Sequence, residues 1–247
     1  LVAQLRRLMP ADHHCEPVTL TNNADWFGGM GMLEFLRDVG KHFRLGTMLA
    51  KDSVKNRLNS EEGISFTEFS YQILQAYDFL YLHRHFQVDV QIGGTEQWGN
   101  ITAGIELTRK LDGDTVYGIT FPLLLRSDGK KFGKSEGGAV WLDRQRLSAY
   151  EFYQYLLRIP DADVILFLKR LTFLPIDQIA LLARSMEEAD YEPFTAQKLL
   201  AAEVTRFVHG EEGLAEALRI TKEAAPGGET ALDENTLEAL AQSLGAT

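Results

Sequence analysis

Val88-Asp89-Val90-Gln91-Ile92-Gly93-Gly94-Thr95-Glu96-Gln97-Trp98-Gly99-Asn100 is the stretch on which the fold turns. Val88 to Ile92 reads as a buried strand running into Gly93-Gly94, and Thr95 opens a helix that extends to about Leu111. Strand, glycine turn and helix together form a nucleotide-site arrangement. The glycines let a ligand approach the backbone, and free N–H groups at the helix start favour a phosphate or carboxylate. Glu96 can then accept hydrogen bonds from a ribose. A tight turn without a ligand is the alternative that this stretch leaves open by itself.

Upstream, Phe66 to Phe86 carries Phe69, Ile73, Leu74, Tyr77, Leu80 and Tyr81 at helical spacing, with Ser65 or Thr67 available as a cap. Tyr71, Gln75 and Asp78 follow the i, i+4, i+7 pattern and project from one face of that helix. A phenol, an amide and a carboxylate beside apolar neighbours are costly unless they meet polar partners. An amino acid bearing an ammonium and a phenolic hydroxyl would be such a partner; neighbouring backbone or a subunit contact are the plainer ones. Further upstream, Glu16 to Leu20 predicts a short strand, Asn22-Asn23 a turn before the glycine-rich stretch Trp26 to Gly31, and Met32 to Arg57 a helical segment in two pieces.

Downstream, Ile119 to Leu125 predicts a strand, Arg126 to Gly138 a polar loop and Ala139 to Leu142 a short strand. After Asp143 the pattern becomes helical over 148–157, 162–171, 176–186, 193–208 and 211–225. Ala224-Ala225-Pro226-Gly227-Gly228 reads as a linker and Asp233 to Leu244 as a last short helix. The expected domains are therefore 1–145, 146–225 and the tail 226–247. The loop carries Lys130-Lys131-Phe132-Gly133-Lys134-Ser135 after Ser127-Asp128-Gly129. Lysines on a glycine-flanked loop can swing onto a triphosphate and stabilise charge as pyrophosphate leaves. The spacing is not that of a P-loop, and a solvated basic loop is the alternative.

The chain of 247 residues is 45% hydrophobic and 24% charged, enough apolar material for one large or two small domains. Its longest apolar runs, such as Ile179 to Ala183, fall far short of a membrane span, and no secretory leader opens it. A formal charge of −10 argues against nucleic acid held over the whole surface but not against a local RNA contact. The single cysteine, Cys15, cannot form an internal disulfide, which favours a cytoplasmic location. With His13 and His14 it offers three adjacent residues, which cannot close a metal shell.

The motifs are far more specific together than singly. Phe35-Leu-Arg-Asp-Val-Gly-Lys-His-Phe43, Gly63-Ile-Ser-Phe-Thr-Glu-Phe-Ser-Tyr71, Gln75-Ala-Tyr-Asp-Phe79, Gly93 to Gly104 and Lys131-Phe-Gly-Lys-Ser135 resemble bacterial-type tyrosyl-tRNA synthetase, over about residues 16 to 225. The resemblance implies an α/β fold with a Rossmann-like parallel sheet, followed by an all-α domain that approaches the tRNA anticodon stem. It implies L-tyrosine, ATP with Mg2+ and tRNA(Tyr) as substrates, a homodimer, and no membrane association. Asp78 is expected at the substrate phenol, and Tyr71 and Gln75 near its ammonium. Gln91 and Gln97 are further tyrosine or adenylate contacts, and Asn23 supports the amino-acid end of the pocket. Gly93, Gly94 and Glu96 match the nucleoside-binding turn, Leu123 and Leu124 the adenine-side strand, and Lys131, Lys134 and Ser135 the mobile signature loop that acts in catalysis and, through Lys134, binds ATP. Phe66 falls where the family forms its dimer interface.

Two departures stand out. Glu96 occupies a position where many members carry Asp, so the ribose contact is expected to lengthen or rearrange. The family's first nucleotide-binding strand, its His-containing motif, its first tyrosine-hydroxyl ligand and its C-terminal S4-type domain have no counterpart in the chain, which is expected to be a fragment. Two rivals remain: a tryptophanyl-type synthetase, which the Tyr71/Gln75/Asp78 face disfavours, and a noncatalytic fragment or paralogue that binds tyrosine, RNA or a partner subunit.

Overall fold

The computed structural model describes residues 2–9, 18–135 and 138–224. The group around Cys15, the first two residues of the strand expected over 16–20, the linker beyond Ala224 and the last expected helix lie outside them. Residues 18–20 carry no regular element. In chain order the elements are α1 (Val2–Leu8), α2 (Ala24–Phe27), α3 (Met32–Asp38), α4 (Leu45–Leu49), α5 (Asp52–Leu58), α6 (Phe66–Phe86), β1 (Val90–Gly94), α7 (Trp98–Leu111) and β2 (Tyr117–Phe121). They continue with β3 (Lys134–Ser135), β4 (Gly138–Ala139), α8 (Ala149–Leu157), α9 (Asp161–Leu171), α10 (Ile176–Ser185) and α11 (Thr195–Glu223). The backbone forms two compact units, one of residues 19–124 and one of 1–18 with 125–247. The division falls upstream of the expected 145/146 boundary.

In the first unit, α6 begins at a capping box. The Ser65 hydroxyl accepts from the Glu68 N–H, and the Glu68 carboxylate accepts from the Ser65 N–H at 3.0 Å. The helix ends at Gln87, whose left-handed φ of 57° turns the chain toward β1. Ala76 and Leu80 of α6 pack with Ala103 and Leu107 of α7 and with Val39, forming the core of this unit. Gly104 allows the two helices to close: a β-carbon there would lie 2.9 Å from Cδ1 of Phe79, which is fully buried. Gly104→Ala is therefore expected to cost about 1–3 kcal/mol of stability through overpacking, measurable as a lowered urea midpoint. An unchanged midpoint would mean that α6 and α7 are not held this close.

β1 and β2 are parallel, in register from Val90 opposite Tyr117 to Gly94 opposite Phe121, and α7 makes the crossover. The strand includes both glycines, so it runs two residues beyond the expected end at Ile92. Gly93 and Gly118 lie under α7: a β-carbon on Gly118 would collide with Ile101, and one on Gly93 would press on Gln97 and Ile101. The opposite face, with Val90, Ile92, Tyr117, Ile119 and Phe121, is exposed. The expectation of a fully buried strand is corrected accordingly. β2 stops at Phe121, so Leu123 and Leu124 follow the strand instead of lying in it. The segment 32–57, expected as two helical pieces, is broken into α3, a 3-10 turn at Gly40–His42, α4 and α5.

The second unit is helical, with a β3–β4 hairpin in which Lys134 pairs with Ala139. A second capping box, Ser148 with Glu151, starts α8. Phe152 and Leu156 of α8, Val164, Phe167 and Leu168 of α9, and Leu200, Ala201 and Ala217 of α11 are buried. The helices expected over 193–208 and 211–225 are both present but join at Gly210, whose φ of 76° and ψ of 179° break the helical path. His209, beside that break, is buried edge-on to Phe152 with ring centroids 5.0 Å apart. Burial, aided by the positive charges of Arg144 and Arg7, lowers its pKa to about 4. The unfolded chain takes up this proton near pH 6.5 and the folded one only near 4, so the contribution of neutral His209 is lost as pH falls through that interval. His209→Phe should flatten the fall in Tm between pH 7 and 4.5; an unaltered slope would count against burial of a neutral ring.

Candidate active site

Asp78 on α6 is held by two side-chain donors. Its Oδ1 accepts from the Trp26 indole N–H at 2.8 Å, and its Oδ2 accepts from the Asn23 amide at 3.4 Å. Trp26 is fixed in turn, because its ring stacks on Tyr81 at 4.4 Å with the planes 18° apart. Burial raises the Asp78 pKa above the ordinary carboxylate value, and the two donors oppose that rise. The result is a half-buried carboxylate with spare acceptor positions on its two oxygens. Tyr71 and Gln75 stand on the same helical face, Tyr71 exposed and Gln75 half-buried.

Gln75 joins an amide chain. The Asn100 side-chain N–H2 donates to Gln75 Oε1 at 2.8 Å and lies 3.3 Å from Gln97 Oε1. Asn100 thus links the middle of α6 to the start of α7 and orients both glutamines. Gln91, on β1, has a buried side-chain oxygen with no hydrogen-bond donor among the described residues, so its acceptor positions are not used by them.

The glycine turn ends in a 3-10 turn, Thr95–Gln97, that leads directly into α7. Gly94 is extended, with φ −71° and ψ 162°, and the Glu96 carboxylate folds back over the position its β-carbon would occupy. Glu96 is exposed and accessible to a polar ligand at this turn. Leu123 is exposed and Leu124 half-buried, in the connection just past β2. Phe66 is the first residue of α6 and is 76% exposed.

The lysine loop belongs to the helical unit. Leu125 bridges Lys131, the Arg126 N–H donates to the Lys130 carbonyl at 2.9 Å, and Gly129 and Gly133 take φ of 78° and 82°. Lys131 is exposed, and Lys134 and Ser135 form β3. The amino-acid face and the glycine turn are thus assembled within residues 19–124, and the lysines on the other unit. Trp26 and Asn100 were not singled out from the sequence. No local signal in the sequence points to Trp26, whose partners Tyr81 and Asp78 lie more than fifty positions away.

The chain that carries this helix face and the strand–glycine–helix turn matches one family over most of its length. Residues 1–225 match the model described as tRNA synthetases class I (W and Y), and the chain belongs to that family. Its relatives fall on the tyrosine side. It is 57% identical over 240 residues to the tyrosine–tRNA ligase of Protochlamydia amoebophila, covering 97% of this chain and 56% of that protein. It is also 57% identical over 225 residues to the chloroplastic/mitochondrial tyrosine–tRNA ligase of Arabidopsis thaliana, covering 90% of this chain and 44% of that one. Among solved structures, a C-terminally truncated mitochondrial tyrosyl-tRNA synthetase of Aspergillus nidulans superposes with a TM-score of 0.72 at 33% identity, over 90% of this chain and 66% of that one. The chain spans about half the length of the curated relatives it matches.

Proposed function

We propose that the protein containing this chain activates L-tyrosine with ATP and transfers it to tRNA(Tyr). The observation that carries this reading is Asp78, a carboxylate held by Trp26 and Asn23 with acceptor capacity left for a phenolic hydroxyl. The Gln75–Asn100–Gln97 chain and the unpartnered oxygen of Gln91 supply acceptors suited to an ammonium. The turn at Gly93, Gly94 and Glu96 takes the nucleoside, with Leu123 and Leu124 on its adenine side. ATP enters with Mg2+ as a substrate complex.

The chemistry needs no protein nucleophile. A tyrosine carboxylate oxygen attacks the α-phosphorus, the bond to the β-phosphate oxygen breaks, and pyrophosphate leaves. A hydroxyl of the terminal tRNA ribose then attacks the acyl carbon and AMP departs. The protein contributes by positioning the two reactants and by lysine charge that favours the leaving pyrophosphate. Lys131 and Lys134, with Ser135, take that role.

Partners follow from the surface of residues 19–124. A cleft of about 550 Å3 is lined by Lys41, Arg44, Lys51 and Lys110, with Glu106 among them. Such a cleft suits RNA phosphates despite the acidic chain. Phe66, Met32, Leu33 and Leu36 are exposed apolar residues, consistent with a homodimer contact. No helix among the described residues is long and apolar enough to cross a membrane. We place the protein in the cytoplasm.

The test is amino-acid-dependent ATP–pyrophosphate exchange on the full-length protein, with tyrosine, phenylalanine and tryptophan compared. Exchange with tyrosine alone is the expected result. Exchange with tryptophan alone would overturn the substrate. Tyrosine binding without any exchange would favour a noncatalytic protein.

A further inference from the structure

The residues between the two functional lysines have no role in the chemistry above, yet they make the loop's firmest contacts. Phe132 sits between Lys131 and Gly133 on an otherwise polar loop. Its ring packs on Phe167 of α9 at 4.6 Å and on Tyr155 of α8 at 5.8 Å. Phe167 is fully buried, so the side chain of Phe132 is docked onto the core of the helical unit. The other limb of the loop is held by the same helix. Oδ1 of Asp163 accepts from the Ser127 N–H at 2.7 Å, and Asp163 is 2% exposed.

Asp163 and Phe167 are four residues apart on α9 and therefore share a face. One strip of one helix grips the loop on both sides of its turn. A carboxylate this buried is costly unless its acceptors are used; its Oδ2 has no partner among the described residues, which leaves the Ser127 amide as its only described hydrogen-bond donor. Beside Phe132 lies an apolar cavity of about 370 Å3, lined also by Leu142, Phe152, Leu156, Val204 and Val208. The ring is thus seated at the edge of a space and not packed on every side.

We propose that Phe132 and Asp163 are positioning residues that pin the Lys131–Lys134 loop to α9 and so fix where Lys131 meets the phosphates of ATP. The proposal deepens the functional reading given above and rests on it for the identity of the bound phosphate, while the pinning itself is independent of that reading. Two anchors four residues apart on α9 define the loop's base, and Gly129 between the anchored residues and Gly133 after them absorb its turns. Without the Phe132 anchor, the lysine keeps its charge but loses its place. Misplacement of a group by an ångström or so is enough to slow a reaction substantially.

The experiment compares Phe132→Ala, Phe132→Leu and Asp163→Asn in the full-length protein. Trypsin cleavage after Lys130 and Lys131 is followed under native conditions, where the rate reports the population of the released loop. Pyrophosphate exchange gives kcat and the KM for ATP, and equilibrium dialysis with labelled tyrosine gives amino-acid affinity. Phe132→Ala is expected to raise loop cleavage about tenfold and to lower exchange kcat at least about tenfold, with tyrosine affinity unchanged. Phe132→Leu, which keeps an apolar anchor, should restore most of both. Asp163→Asn retains an acceptor oxygen for Ser127 and should stay near wild type in cleavage.

Wild-type cleavage in Phe132→Ala would overturn the proposal. So would a parallel loss of tyrosine affinity and Tm, because a merely structural role predicts that pattern. If the unmodified protein shows no exchange, the functional reading fails, and the cleavage rates still decide whether the loop is pinned.

Discussion

Asp78→Ala is expected to lower kcat/KM for tyrosine by about 10- to 100-fold, the effect of deleting a hydrogen bond to a charged acceptor, while the KM for ATP and the weak rate with phenylalanine barely move. The reason lies in the three donors that converge on this carboxylate. Two belong to the protein, Trp26 and Asn23, and on the proposed reading the third is the substrate phenol. Phenylalanine brings no donor and loses little when the acceptor goes. The preference for tyrosine should therefore shrink by nearly the whole loss. Alanine also leaves the buried Trp26 N–H without its acceptor, so a stability loss of about 1–3 kcal/mol should accompany the change. Asp78→Asn retains an acceptor for Trp26 and separates the two effects. Steady-state exchange with both amino acids, beside thermal melts, provides the check. Equal loss toward tyrosine, phenylalanine and ATP would sink the assignment.

Lys131→Ala is expected to act on the chemical step. Removing a positive charge that favours the departing pyrophosphate should lower kcat for exchange by about 10²–10³-fold, with the affinity for tyrosine preserved. The proposed tyrosine contacts lie on α6, β1, the turn after it and Asn23, all within residues 19–124, and Lys131 belongs to the other compact unit, so the two readouts are separable. Single-turnover formation of adenylate is the direct measurement. A normal single-turnover rate with slow steady-state turnover would move Lys131 from chemistry to product release.

The residues that were legible in the sequence are those whose spacing carries their geometry. The sequence offers Ser65 or Thr67 as the cap of α6, and the structure uses Ser65; the 3.6-residue period then places Tyr71, Gln75 and Asp78 on one face. The strand–turn–helix unit was legible for the same reason, although Gly93 and Gly94 pair as strand where a turn was expected. Gly93 serves the close approach of α7, a demand set by Gln97 and Ile101, and Gly94 leaves room for the Glu96 carboxylate. What stayed hidden depends on contacts between distant residues. Nothing local in Trp26 reveals that Tyr81 stacks on it or that Asp78 accepts from it. The loop after Leu124 joins the helical unit through Phe132 on Phe167 and Ser127 on Asp163, pairs separated by more than thirty positions. The composition shift near 145 marks where the helices begin and is silent on where the loop docks. The broken segment 32–58 falls between these cases: Gly40 and Gly46 lie in it, but only packing decides which turns survive.

The arrangement of α6 has a consequence for how such a pocket can change over time. Gln72, Ala76 and Phe79 are buried in the unit, and Tyr71, Gln75 and Asp78 each precede one of them by a single position. A one-residue step turns a helix by about 100°, enough to take a side chain off the packed face without moving the backbone. Positions that hold the fold and positions proposed to choose the amino acid are thus interleaved along one helix yet point different ways. A lineage could trade the phenol-reading residues for others, one at a time, and inherit an intact helix pair at every step.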